Sequence, residues 1–231
     1  MKNKYFKILL FITFIILAFL QNSYSETSVS GNITSNTTWT LAGSPYIVTG
    51  DITVPEGITL TIEAGTVIKF TANSDDVHGG NDTNRAELII NGSIIAAGTV
   101  TNKIQFKSNA SVPANGNWGG IRINCNNNSK QFQMDYCIIQ HATNGVYLYS
   151  NSGNNSLKLN NCEVNNNSSN GIYTYAENSS NFNVEINSNV IYQNSNYGIY
   201  NNTNINLTIK NCTISNNNNN GINAYYNNNL T

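Results

Sequence analysis

From residue 50 onward, apolar side chains return at every second position in short bursts. Leu157-Lys158-Leu159, Val184-Glu185-Ile186 and Leu207-Thr208-Ile209 each set one polar residue between two apolar ones. A period of two puts alternate side chains on opposite faces of a strand. The longer period of a helix appears nowhere after Ser25. Between bursts lie clusters of Asn, Gly and Ser, which tolerate the left-handed backbone of tight turns better than other residues do. The pattern predicts short strands in threes, joined by corners.

These units repeat. Asn144-Gly145-Val146-Tyr147 returns as Asn170-Gly171-Ile172-Tyr173, Tyr197-Gly198-Ile199-Tyr200 and Asn220-Gly221-Ile222-Asn223, with the glycines at nearly even steps. A second phrase keeps phase with it: Tyr136-Cys137-Ile138-Ile139, Asn161-Cys162-Glu163-Val164, Ser188-Asn189-Val190-Ile191 and Asn211-Cys212-Thr213-Ile214. Units of this length cannot bury a core alone and must stack on their neighbours.

A three-strand coil of about 23–27 residues resembles one turn of a single right-handed parallel β-helix, an all-β solenoid. The earlier chain carries the same resemblance. Gly50 to Phe70, Ile90 to Thr99, Ile104 to Ser108 and Trp118-Gly119-Gly120-Ile121 look like coils of secreted bacterial β-helix repeat proteins of the pectate-lyase-like fold family. This likeness implies a fold and leaves the chemistry open.

The expected organisation is a signal segment over 1–25, an N-terminal cap and first coils over 26–70, and β-helix repeats over 71–231. Trp39, Leu41, Tyr46 and Ile47 are expected to cover the first coil. Asn228-Asn229-Leu230-Thr231 stops in mid-pattern, as in a helix that is open there or continues in a longer protein.

Lys2, Lys4 and Lys7 precede an apolar run from Ile8 to Leu20, followed by small residues before a cut after Ser25. That is the layout of a secretory signal peptide; an uncleaved anchor is the alternative. The expected location is secreted or at the cell surface, or periplasmic if retained, with no membrane span once the signal is removed. Charged residues make up 10% of the chain and the net charge is −1, which excludes a basic nucleic-acid surface.

Cys137, Cys162 and Cys212 share one repeat position with Asn189, so a stacked ladder of small side chains is expected there. A Cys137–Cys162 disulfide is the alternative. Cys125 falls off this column. Asn189→Asp is expected to destabilise the stack, and Gly171→Val to do so if that corner needs a positive φ.

If Val146, Ile172, Ile199 and Ile222 face the core, then Tyr147, Tyr173, Tyr200 and Asn223 face outward. Two residues on, Tyr149, Tyr175, Asn202 and Tyr225 form a second outward file. Arg122 and Asn124 extend both files into the preceding rung. Exposed rings beside amides suit the faces and hydroxyls of a sugar, so Arg122 and these six tyrosines are candidate ligands for a polysaccharide or cell-surface glycan. Tyrosine ladders that only support one another are the alternative.

The one polar concentration is an insertion holding Asp75, Asp76, His78, Gly79, Gly80, Asn81, Asp82, Asn84, Arg85 and Glu87. Oxygen ligands this closely spaced would suit Ca²⁺, with Asp75, Asp76 and Asp82 as the candidate set, against a plain solvated loop. Carbohydrate-cleaving enzymes need grouped acids, and a lyase a cation as well. Asp135, Glu163, Glu177 and Glu185 are dispersed, Lys158 and Glu185 are expected to form an exposed ion pair, and His141 to be solvated or hydrogen-bonded in a corner. No residue is assigned a catalytic role. An exported, non-enzymatic scaffold or binding protein is the reading; a polysaccharide lyase or glycoside hydrolase, or a fragment of one, is the alternative.

Overall fold

A computed structural model describes residues 26–126, 130–151, 155–177, 182–203 and 205–225. The expected signal segment over 1–25 and Asn228–Thr231 lie outside these. The described residues form 21 strands, β1 to β21, and one short 3-10 turn, Leu41–Gly43. All their strand pairs are parallel, and the described residues wind as a single right-handed parallel β-helix of seven rungs.

Three columns of strands run the length of the molecule. The first holds β2 (Thr37–Trp39), β4 (Thr59–Ile62), β7 (Ser93–Ala97), β10 (Gln131–Asp135), β13 (Ser156–Asn160), β16 (Asn183–Asn187) and β19 (Asn206–Lys210). The second begins with the first half of β3 (Tyr46–Val54). It continues through β5 (Val67–Phe70), β8 (Ile104–Ser108), β11 (Cys137–Gln140), β14 (Glu163–Asn165), β17 (Val190–Tyr192) and β20 (Thr213–Ser215). The third begins with the second half of β3. Below it lie β6 (Glu87–Ile90), β9 (Gly120–Cys125), β12 (Val146–Ser150), β15 (Ile172–Ala176), β18 (Ile199–Asn201) and β21 (Ile222–Ala224).

The expected lid is corrected. Trp39 and Tyr46 lie inside the first rung as a stacked pair with centroids 4.9 Å apart, while Leu41 is largely exposed. The strand that covers the first rung is β1 (Thr27–Asn32), which pairs with both halves of β3 and changes register at Gly31. Its residues alternate in burial, so it closes two columns with one side while keeping polar groups outward.

The core is one continuous file of inward residues, with Phe70 stacked on Trp118 at 3.8 Å near its middle. The corners are made by non-glycine residues in the left-handed region. Tyr136, Asn161, Ser188 and Asn211 turn the first column into the second at φ of 49° to 57°. His141, Asn166, Gln193 and Asn216 leave the second at φ of 53° to 66°. Gly171 is not among the positive-φ residues, so the reason expected for its being glycine does not hold. A Cβ there would sit 2.6 Å from the carbonyl oxygen of Gly198, and Gly145 and Gly198 meet the next rung in the same way. Glycine is required by rung-to-rung approach, where Ile172 N donates to that Gly198 oxygen at 3.0 Å.

Two buried ladders tie the rungs. All four cysteines are free thiols. Cys137 N donates to Cys162 Sγ at 3.4 Å, Cys162 N to Asn189 Oδ1 at 2.7 Å, and Asn189 N to Cys212 Sγ at 3.4 Å. Asn189 Nδ2 also donates to the Leu159 carbonyl at 2.8 Å. Cys125 is buried in β9, where burial pushes its thiol up to about 12. The other ladder was not anticipated. Asn167 Nδ2 donates to Asn194 Oδ1 at 2.8 Å, and Asn194 Nδ2 to Asn217 Oδ1 at 2.9 Å. Each follows a left-handed corner residue by one position, a repeat the sequence also carries.

Candidate functional site

The third column presents its outward positions as two files, and the strand register aligns them. Tyr147 is paired with Arg122 on one side and Tyr173 on the other, Tyr173 with Tyr200, and Tyr200 with Asn223. Tyr149 is likewise paired with Asn124 and Tyr175. The inward neighbours Val146, Ile172 and Ile199 are fully buried, which fixes the rings on the opposite face; the exception is Ile222, partly exposed on the last rung.

The rings stack along the axis. Centroids lie 4.9 Å apart for Tyr147–Tyr173, 5.1 Å for Tyr173–Tyr200 and 5.9 Å for Tyr149–Tyr175. Tyr197, which leads into β18 and was not singled out from sequence, extends the file beside Tyr200 at 5.1 Å. The Arg122 guanidinium caps the other end, 4.7 Å from the Tyr147 ring centre. Packed against one another, Tyr147, Tyr149, Tyr173, Tyr175 and Tyr200 are half-buried. Tyr225 is 68% exposed. Burial raises the Tyr147 hydroxyl pKa against the opposing pull of Arg122. A hydrogen bond to the Glu177 carboxylate, ahead of burial, raises that of Tyr149.

The insertion between β5 and β6 reaches this face. Its residues Asn81 and Asp82, with Glu87 at the start of β6, line a cleft of about 200 Å³. Gly120, Arg122, Thr143, Asn144, Tyr147 and Tyr173 also line it. Arg122 Nε donates to Asn124 Oδ1 at 3.1 Å, and its guanidinium donates to the amide oxygen of Asn81. Arg122 therefore joins the loop to the tyrosine file.

Carboxylates hold the insertion from within. Asp51, at the bend of β3, is 1% exposed and accepts from Glu87 N at 2.6 Å. Asp75 Oδ1 accepts from Asp51 N at 2.9 Å and Val77 N at 3.0 Å. Glu87 Oε2 accepts from Asn81 N at 2.6 Å. Burial pushes Asp51 up to about 6, with Asp75 and Glu87 adding repulsion. Burial also raises Glu87, against hydrogen bonding and the field of Arg122. Gly80 threads between these acids: a Cβ there would lie 2.1 Å from Glu87 Oε2 and 2.9 Å from Asp51 Oδ2.

The structure separates the residues singled out for Ca²⁺. Asp75 is buried, Asp76 is exposed, and Asp82 pairs with Arg85 at 2.7 Å. Among the described residues, no group of three or more His, Cys, Asp or Glu side chains is placed to hold a metal. His78 Nδ1 lies 2.9 Å from the Thr83 carbonyl oxygen. Lys158 and Glu185 are cross-strand partners as expected, but no ion pair joins them. His141 lies in a corner as expected and is partly exposed, although its Nδ1 is enclosed without a hydrogen-bond partner. Asp51 was missed because its sequence surroundings read as ordinary strand, and only the fold brings it beneath the insertion.

Residues 31–133 match a family model described as a pectate-lyase-like β-helix domain. The matched span includes Asp51, the insertion and Arg122, and ends before Tyr147. No curated protein and no solved structure matches the chain. No helix among the described residues is long and apolar enough to cross a membrane.

Proposed function

We propose that this is an exported, non-enzymatic binding protein whose third-column face holds a glycan, with the cleft beside Arg122 as its anchoring point. The observation that carries the reading is the unbroken file Arg122–Tyr147–Tyr173–Tyr200, running along the axis from a cleft walled by polar groups. Rings a rung apart suit an extended chain of repeating units. Asn144, Thr143 and Arg122 supply the hydrogen bonds that fix its register. Export rests on the basic and apolar pattern of residues 2–25.

A second reading, cleavage of a polysaccharide, is favoured by one observation: Glu87, a carboxyl with a raised pKa, lines the cleft beside Arg122. Its Oε2 is committed to Asn81 N, and Asp82 to Arg85, so neither is free as the paired acid and base that hydrolysis needs.

The test is binding to arrayed neutral and acidic polysaccharides by the mature chain and by a Tyr147→Ala/Tyr173→Ala variant, with an assay for new reducing or unsaturated ends. Affinity should fall about tenfold or more in a variant that keeps its β-sheet circular dichroism. Equal binding by both proteins would remove the tyrosine face from the reading. Cleavage products would transfer the case to Glu87.

A further inference from the structure

We propose that Lys69, Lys107 and His141, on the outer face of the second column, form a binding site for a sulfate or phosphate group. This site is on a different column from the tyrosine face and does not rest on the glycan reading.

Lys69 and Lys107 are direct partners in the β5–β8 register. Adjacent strands lie about 4.8 Å apart, so two ammonium-bearing stems leave the sheet side by side. Like charges directly opposite one another destabilise a sheet, and a chain with few charges had every opportunity to avoid the pairing. The other cations that form ion pairs have carboxylates: Arg85 has Asp82, Lys103 has Glu163, and Lys130 has Glu56. Neither Lys69 nor Lys107 makes an ion pair among the described residues. Their surroundings are neutral. Lys107 Nζ donates to Gln105 Oε1 at 2.8 Å, and the neighbouring outward file runs Val67, Gln105, Ile138 before reaching Glu163, which Lys103 occupies.

His141 completes the group: β11 pairs with β8 up to Ile139 opposite Phe106, and Lys107 follows that pair by one residue on its strand and His141 by two on its own. His141 occupies the left-handed corner after β11 at φ 66°, held there by its own N–H donating to the Asn166 carbonyl at 3.1 Å. Its Nδ1 is enclosed without a partner, while the residue as a whole is only partly buried. Burial, and then the charge of Lys107, hold this imidazole below its ordinary range. Burial and the charge of Lys69 in turn hold Lys107 below the usual ammonium range. Two facing cations beside an imidazole match an oxyanion that carries concentrated charge and several acceptors. Bound between the ammoniums, it would convert their repulsion into two charge-assisted hydrogen bonds.

The experiment titrates the mature chain with inorganic sulfate and inorganic phosphate, against chloride at equal ionic strength. Thermal midpoint and backbone amide shifts are followed. At tenfold excess over Kd the midpoint should rise about 3–5 °C above the chloride control, with amide shifts confined to β5, β8 and the His141 corner. Lys69→Gln/Lys107→Gln should abolish both effects, and Lys69→Gln alone should raise the midpoint in chloride by relieving repulsion. Tyr147→Ala/Tyr173→Ala should leave both effects intact. A sulfated polysaccharide and its desulfated form separate the sources: tighter binding of the sulfated polymer than of free sulfate assigns the site to an ester, and equal binding to the free ion. Equal midpoint rises in the wild-type and double-Gln proteins, or no rise at all, would overturn the proposal.

Discussion

The upper and lower rungs of this β-helix are stabilised by different means. From β10 downward the corners into and out of the second column are left-handed and uniform, and the rungs are tied by amide and thiol ladders. Above β10 the rungs are interrupted by the insertion at 71–86 and by the 109–119 connection. There the core relies on large aromatics such as Phe70, Phe106 and Trp118, and carboxylates are buried. Repetition builds a surface on which one feature can be copied, as with the tyrosines. Interruption brings unlike groups together, as with Glu87, Asn81 and Arg122. The cleft lies where the two regimes meet.

The largest expected effect is in the repetitive half. Gly171→Val would drive a side chain into the Gly198 carbonyl, 2.6 Å from its first carbon, with no flexible neighbour to yield. A loss of about 3 kcal/mol or more in urea unfolding is expected. A loss under about 1 kcal/mol would mean that the rungs can slide apart, and that uniform stacking does not define this half. The Asn189 position sharpens the same point. Asn189→Asp should cost about 2 kcal/mol at pH 7, because it removes the donation to the Leu159 carbonyl and buries a charge. Asn189→Cys, which restores the residue found on neighbouring rungs, should stay within about 1 kcal/mol of wild type. Equal costs for the two would show that Asn189 acts as an isolated polar residue and not as one step of a ladder.

The smallest effect belongs to the interrupted half and has the opposite sign. Asp51 holds its proton up to about 6 in the folded protein, against 3.8 for the unperturbed group. Between those values the folded state binds more protons than the unfolded one, so this contribution is fully present below 3.8 and is lost as pH rises through 6. Glu87 is raised and acts in the same direction. The thermal midpoint should therefore rise by about 2–4 °C between pH 7 and pH 5, and Asp51→Asn should bring most of that gain to pH 7. A midpoint that falls on acidification in wild type, or is unchanged by Asp51→Asn, would mean the buried acids do not oppose folding.

The same contrast explains what could be read from the sequence. The three-strand coil, the Cys137–Cys162–Asn189–Cys212 column and the register of the tyrosines were legible because each is written several times in phase. The Asn167–Asn194–Asn217 ladder was equally periodic but passed unnoticed among many other asparagines. Gly171 was placed correctly but for the wrong reason, since a glycine at a corner looks the same whether it serves a positive φ or a close carbonyl. Asp51 beneath Glu87 was not legible. Those residues are 36 positions apart and occur once, so no periodicity points from one to the other. The cap was misassigned because Trp39 and Tyr46 have the composition of a lid, and only the pairing of β1 shows which segment covers which.

The stacking has a consequence for how the chain reaches this state. Down the first column, each strand pairs with the strand one coil earlier, as Leu157 does with Phe132, Val184 with Leu157 and Leu207 with Val184. Ladder contacts therefore span similar, modest lengths of chain, and rungs can be added to a growing end without one long-range closure. The two widest steps, Leu60 to Ile94 and Ile94 to Phe132, fall at the interrupted rungs, where each addition must also order an irregular loop. Assembly is expected to proceed readily through the asparagine-rich coils and to pause at the rungs that shape the cleft, so the candidate site would be the last part to form and the first to open.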